Sequence, residues 1–349
     1  MEINKEKKIS LLDRVKKKIL SWFHLTNDPV IKLYHGYGNE KTIIVFGHVL
    51  KLSPLGRKKY RRNFFNNSYG LLRLFMVKPY IKVNLKLVWD GVTYQTTSED
   101  DGFFKFEWTP ANPLPAGWHP VKVHLDDPSS VIQPVEATGE FFIPYKYQYA
   151  FISDIDDTFL ISHSSNLRKR LYVLFTKNAR SRKPFEGVVN HYQLLASTGA
   201  SRDTFNLFFY VSSSEWNLYD YLSEFFNYNR LPEGIFLLSQ VKRIFQLLLT
   251  GKTKHEGKFI RIARILHVFP NQQFLLIGDN SQKDPVIYTT IAEKYPGRIS
   301  AIYIRNVRPE KRSITSGLLA AVEPLGIHTC LFDHTSEARL HAQKTGLIE

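Results

Sequence analysis

From about residue 148 onward, short and nearly unbroken apolar runs alternate with helix-length amphipathic patterns. The runs are Tyr149–Ser153, Phe205–Val211, Ile235–Ser239, Phe274–Ile277 and Ile299–Ile304. Strands without polar alternation are buried on both faces, which requires helices above and below a parallel sheet. Helical periodicity near Val188–Ser197, Trp216–Tyr228, Lys258–Val268 and Pro285–Tyr295 supplies those helices. The expectation is an α/β domain, a doubly wound parallel sheet, over residues 148–349.

Residues 26–147 differ in pattern. Alternating or β-branched runs at Thr42–Val49, Tyr80–Trp89, Gly102–Trp108, Pro120–Leu125 and Val135–Ile143 are separated by turn signals, with no helix-length stretch between them. Asp90-Gly91 between two such runs predicts a hairpin turn. A small antiparallel β-sandwich is expected, with the domain boundary near Pro144–Gln148.

Residues 1–25 predict a basic amphipathic helix, with Leu12, Val15, Ile19 and Trp22 on one stripe and lysines over much of the rest. Such a helix either docks on its own domain or lies on an anionic membrane. The lysines interrupt any apolar segment of signal-peptide type, and no run approaches the roughly 20 apolar residues of a membrane span. A cytoplasmic protein, peripheral at a membrane at most, is expected. The net charge of +15 points to an anionic partner, either membrane lipid, nucleic acid or a phosphorylated substrate. The single cysteine, Cys330, excludes an internal disulfide and reads as a small core residue.

In an open parallel sheet, ligands bind beyond the carboxyl ends of the strands. After the first apolar run stand Asp154-Ile155-Asp156-Asp157-Thr158, a carboxylate pair suited to holding a hard cation and to acid/base work. After the second come Ser212, Ser213 and Ser214, and after the fourth Gly278-Asp279, with Asp284 five residues on. Lys252, Lys254 and Lys258 precede the fourth run. Singly, each has a bland reading: the serines and Asp284 as helix caps, the lysines as solvated charge. Acid pair, hydroxyl, lysine and acid pair in order on successive strand ends are better explained by a shared site.

The order Asp-x-Asp-x-Thr, Ser, Lys, Gly-Asp-x-x-x-x-Asp resembles the four motifs of the haloacid-dehalogenase superfamily. Ile152–Thr158, Arg182–Val188, Tyr210–Tyr219, Leu276–Asp279 with Asp284-Pro285, and the ending His341–Ile348 resemble the actin-patch-protein type of phosphatidate phosphatase catalytic domain. The preceding β-rich segment also resembles what comes before that domain in bacterial members. The resemblance implies a Mg²⁺-dependent phosphatase working through an aspartyl-phosphate. It implies Asp154 as nucleophile, Asp156 as acid/base, Ser212 and Lys258 as phosphoryl contacts, and Asp154, Asp156, Asp279 and Asp284 around Mg²⁺. The family's usual His-Lys pair is Gly257-Lys258 here, which leaves Lys254 as a rival for the lysine role. The segment from Ile161 to Lys183, basic and apolar without an acid after Arg168, suits an amphiphilic phosphate such as phosphatidate. Phosphatidate hydrolysis to diacylglycerol is therefore expected. A phosphatase for a soluble or nucleic-acid phosphomonoester, or a membrane- or protein-binding adaptor with a vestigial catalytic half, remain as alternatives, with nucleic acid the least favoured partner.

Overall fold

The computed structural model describes residues 25–26, 28–54, 77–126, 135–145, 149–155, 184–199, 205–239 and 254–348. The expected N-terminal helix, Asp156 and the segment from Ile161 to Lys183 lie outside the described residues, apart from Leu25 in a short strand.

The first ten strands are β1 (Leu25–Thr26), β2 (Val30–Leu33), β3 (Gly36–Gly38), β4 (Ile43–Pro54), β5 (Lys78–Pro79), β6 (Asn84–Trp89), β7 (Val92–Thr97), β8 (Phe103–Trp108), β9 (Gly117–Leu125) and β10 (Glu136–Ile143). Hydrogen bonds join them into one mixed sheet, in which the expected antiparallel pattern is broken by the parallel β3–β10 pair. The joining strand is β4. It is long enough to pair with β1, β2, β3, β5 and β8, while β3 continues the ladder to β10 in parallel. The expected Tyr80–Trp89 strand is shorter, because Lys82 adopts a left-handed φ of 52° ahead of β6. The Asp90-Gly91 turn joins β6 to β7 with both residues at positive φ. Alternate residues of these strands, among them Leu85, Leu87, Phe104, Phe106, Val121, Val123 and Phe141, fill one core.

The second part is a six-stranded parallel sheet in the order β13-β12-β11-β14-β15-β16. Its strands are β11 (Tyr149–Ser153), β12 (Leu207–Glu215), β13 (Gly234–Ser239), β14 (Gln273–Asp279), β15 (Ile299–Arg305) and β16 (His328–Phe332). The helices are α1 (Val188–Ser197), α2 (Tyr219–Asn229), α3 (Lys254–Val268), α4 (Asp284–Lys294), α5 (Arg312–Val322) and α6 (Thr335–Lys344). Neighbouring strand residues split between two cores. Ala150, Ile152, Phe209 and Val211 pack with α3, α4 and α5, whereas Phe151, Phe208 and Tyr210 pack with α1, α2 and α6. This two-sided burial is why the strands read as unbroken apolar runs. Among the described residues, no helix is long and apolar enough to cross a membrane.

The two parts meet through aromatic side chains. Tyr34 lies 4.4 Å from Tyr219 between ring centroids, Tyr37 packs edge-on to Phe209, and His48 stacks on Trp216 at 3.9 Å.

Candidate functional site

Strand β11 pairs with β12 on one side and β14 on the other, so its carboxyl end lies where the sheet order reverses. Asp154 is the first residue past that strand. Its amide donates to the Ile277 carbonyl at 2.8 Å, which extends the β11–β14 ladder by one rung and fixes where the side chain leaves the sheet. Asp279 ends β14, and Asp284 opens α4. All three carboxylates are buried, and each offers an oxygen within 4.8 Å of the others.

Like charges this close repel one another, and burial removes the water that would screen them. Two features offset this. Lys258 sits one turn into α3, whose Ile262, Ile265 and Leu266 hold the helix against the sheet. Its Nζ donates to Asp154 Oδ1 at 2.7 Å and to Asp284 Oδ1 at 2.5 Å. Burial alone would depress the ammonium's pKa, but Asp154 and Asp284 outweigh it and raise it above its usual value. Asp279 takes the backbone N–H of Ser281 at 2.5 Å, yet burial first and Asp284 second push its carboxyl up to about 7. Asp284 Oδ2 is buried without a hydrogen-bond partner. Three convergent carboxylates, one with an oxygen unused, fit a hard divalent cation held by oxygen ligands. Asp154, Asp279 and Asp284 are the residues that could hold one.

Ser212 lies within β12, not after it. That strand runs to Glu215, where the apolar pattern stops at Val211. Val211 pairs with Leu237 and Glu215 with Ser239, so extra residues bulge out between them beside the end of β11. The serines therefore cap no helix. Ser212 Oγ accepts the Ser214 amide at 2.9 Å. Asp284 is likewise no helix cap. It is the first residue inside α4, and its carboxylate is turned to Lys258.

Three supporting residues have structural roles that the sequence pattern does not specify. Arg261, one turn past Lys258, donates to the carbonyls of Ser212 and Leu238, both at 3.3 Å, and so ties α3 to the bulge. Gly278 leaves room for Asp284: a Cβ there would stand 2.6 Å from Asp284 Oδ2. Asn280 accepts the amides of Val307 and Arg308 at 2.8 Å. Its side-chain amide donates to Asn306 Oδ1 and to the Arg308 carbonyl, which clamps the loop after β15. Cys330 is half-buried on β16, and burial pushes its thiol up to about 12.

Three buried carboxylates and a buried lysine at the switch point of a parallel α/β sheet form a candidate site for a divalent cation and an anionic ligand. Residues 149–306 match the family described as phosphatidate phosphatase APP1, catalytic domain. Phosphatidate phosphatase APP1 of Saccharomyces cerevisiae is 32% identical over 187 residues, which are 53% of this chain and 30% of that protein. An uncharacterized protein of Schizosaccharomyces pombe is 26% identical over 160 residues, covering 45% of this chain and 25% of its own length. The chain thus aligns with less than a third of either relative. Among solved structures, a carbohydrate acetylesterase from Xanthomonas citri overlaps 87% of this chain and 68% of its own at 13% identity, with a TM-score of 0.25, too loose a likeness to carry an argument.

Proposed function

We propose that the chain is a Mg²⁺-dependent phosphatase that acts through an aspartyl-phosphate, with phosphatidate as substrate and diacylglycerol and phosphate as products. The observation that carries this is the Lys258 ammonium held between Asp154 and Asp284, with Asp279 beside them. A carboxylate approaches a phosphate dianion only where cations offset both charges. Bound at Asp154, Asp279 and Asp284, with Asp156 as a further ligand, Mg²⁺ would supply the remaining positive charge.

In this reading, an Asp154 carboxylate oxygen attacks phosphorus and the bond from phosphorus to the lipid oxygen breaks. Asp156 gives its proton to the departing alkoxide. Asp156 then takes a proton from water, whose oxygen attacks phosphorus and breaks the bond to Asp154, so that both carboxylates return to their starting state. Lys258 stays protonated throughout and offsets charge on Asp154 and on the transferred group. Ser212, on the neighbouring strand end, hydrogen-bonds a phosphoryl oxygen. The same proposal takes the parallel sheet as a haloacid-dehalogenase-like catalytic domain over residues 148–349, behind a β-sandwich-like domain over 26–147.

The family match over residues 149–306 and the name of the yeast relative support the lipid substrate. The test is phosphate release from phosphatidate in mixed micelles beside a panel of soluble phosphomonoesters. Preference for phosphatidate is expected. Turnover of soluble esters with none of phosphatidate would replace the substrate, and turnover of neither would leave the chain a binding protein.

A further inference from the structure

Helices α3, α4 and α5 lie side by side on one face of the parallel sheet. All three start at its carboxyl edge. Lys258 near the start of α3 reaches Asp154, Asp284 opens α4, and α5 follows the end of β15 after a short connection. Each helix exposes one β-branched apolar side chain within its first two turns: Ile260 is 63% exposed, Val286 49% and Ile314 69%. Scattered exposed apolar residues need no explanation. Here, however, three adjacent helices each place one within two turns of the end that carries the acid cluster, on the face turned away from the sheet.

The surrounding charge is mostly positive. Lys283 precedes α4, and Arg308, Lys311 and Arg312 surround the start of α5. The acids among them, Glu310 and Asp333, pair with Arg308 and Arg312. Lys283 and Lys311 have no carboxylate at ion-pair distance among the described residues, and Lys311 is held on the Ser281 carbonyl beside Asp279. Apolar side chains interleaved with lysines on one rim match an interface that enters the boundary between headgroups and acyl chains while its cations meet anionic headgroups.

We infer that the rim formed by Ile260, Val286 and Ile314 with Lys283 and Lys311 docks on an anionic lipid surface and sets the carboxyl edge of the sheet against it. The occupant follows from the charge of the rim, and it rests on the lipid-phosphate reading only in giving the contact a purpose. A substrate with its acyl chains in a bilayer cannot reach a site in solution, so the site's edge must come to the bilayer.

The experiment uses the full chain and vesicles of phosphatidylcholine with or without 30% phosphatidylserine, a composition of roughly the anionic character of a cytoplasmic leaflet. Wild type should co-sediment with the anionic vesicles only. The triple variant Ile260→Ser, Val286→Ser, Ile314→Ser should partition at least tenfold less, and Lys283→Glu several-fold less. For a direct readout, Ile314→Cys in a Cys330→Ser background carries an environment-sensitive nitrobenzoxadiazole dye, whose emission should shift to the blue on anionic vesicles. Equal pelleting of the triple variant and wild type, or pelleting without a dye shift, would overturn the inference. A dye that responds to neither vesicle overturns it as well. Hydrolysis of a short-chain phosphatidate below its micellar concentration, run in parallel, reports on the site without the surface. Its absence in wild type counts against the phosphatase reading and leaves the vesicle result standing.

Discussion

The Lys258 ammonium lies 2.7 Å from a carboxylate oxygen of Asp154, although 104 positions separate them in the chain. The same nitrogen holds Asp284, so removing it leaves two buried carboxylates without their cation. Lys258→Ala is therefore expected to cut turnover about 10²–10³-fold, as loss of one electrostatic stabiliser does. It should also destabilise the fold by about 3–5 kcal/mol, the usual cost of breaking a buried pair from one side. Lys254→Ala should do neither. Steady-state kinetics and denaturant unfolding of both variants check this, and the reverse ranking would reassign the lysine role.

Asp154 and Asp156 should fail differently. Asp154→Asn cannot form the acyl phosphate and should release no phosphate. Asp156→Asn should slow turnover by about 10²–10⁴-fold, the range of general acid–base catalysis. Acid-quenched protein incubated with labelled substrate should carry hydroxylamine-sensitive label when Asp156 is changed and none when Asp154 is changed. Label on the Asp154→Asn protein would place the nucleophile elsewhere.

Chelation should abolish activity, and Mg²⁺ should raise thermal stability, because Asp154, Asp279 and Asp284 are brought together only in the folded chain. A ligand at a hundred times its Kd stabilises by about 2.7 kcal/mol. Scanning calorimetry with and without Mg²⁺, beside assays in excess EDTA, measures both effects. Full activity in EDTA would remove the metal from the mechanism.

What the sequence revealed follows from burial. The inner strands read clearly because both faces are apolar, and Asp154 and Asp279 stood out because charge directly after such a run is costly without a purpose. β16 passed unnoticed because it is an edge strand, mostly half-exposed, whose His328, Thr329 and Cys330 interrupt the apolar signal. α5 has Gly317 in its middle, and α6 offers few apolar positions to mark a stripe. The role of Arg261, and the packing role of Gly278 within its Gly-Asp motif, escaped for a different reason. Their roles depend on a helix and a loop far apart in the chain, which periodicity cannot place. The continuous ladder through β4 was hidden because strand patterns give faces, not partners.

Acid should weaken the contact between the two parts of the molecule. His48 is stacked on Trp216 and bonded to Tyr34 Oη through Nδ1, and burial, with Lys32 adding to it, lowers its pKa to about 3. His191 is lowered to about 4 by burial and by Arg305 and Arg339. Both are neutral when folded at pH 5, while the unfolded chain titrates near 6.5 and binds the protons. Stability is therefore full above about pH 6.5 and falls as pH drops toward the folded values, by up to about 1.4 kcal/mol per pH unit for each histidine. Urea unfolding between pH 7 and 4.5 should show this slope. Asp279, whose raised folded pKa keeps a proton that the unfolded chain has lost, opposes this slope; His48→Phe should flatten it, and an unchanged slope would exclude His48 as a source.

The strictest test of the site's packing is Gly278. This residue lies on β14 directly before Asp279, and Asp284 returns over it to reach Lys258. A Cβ at 278 would stand 2.6 Å from Asp284 Oδ2, 2.9 Å from Asp284 Cβ and 2.8 Å from Tyr288 Cε2. Tyr288 is fully buried, with its hydroxyl on the Ile277 carbonyl, so it cannot yield cheaply. The carboxylate is then the group that moves, away from Lys258 and from the other two acids. Gly278→Ala is expected to cost about 1–3 kcal/mol of stability, the range for overpacking a filled interior. Because displacing a ligand by a fraction of an ångström weakens the whole cluster, its effect on function should be larger in proportion. The half-saturating Mg²⁺ concentration should rise at least tenfold, with part of the lost turnover recovered at high Mg²⁺. Measured Mg²⁺ dependence separates this from general destabilisation: a fall in turnover with an unchanged Mg²⁺ requirement would mean that Asp284 has kept its place and takes no part in holding the ion.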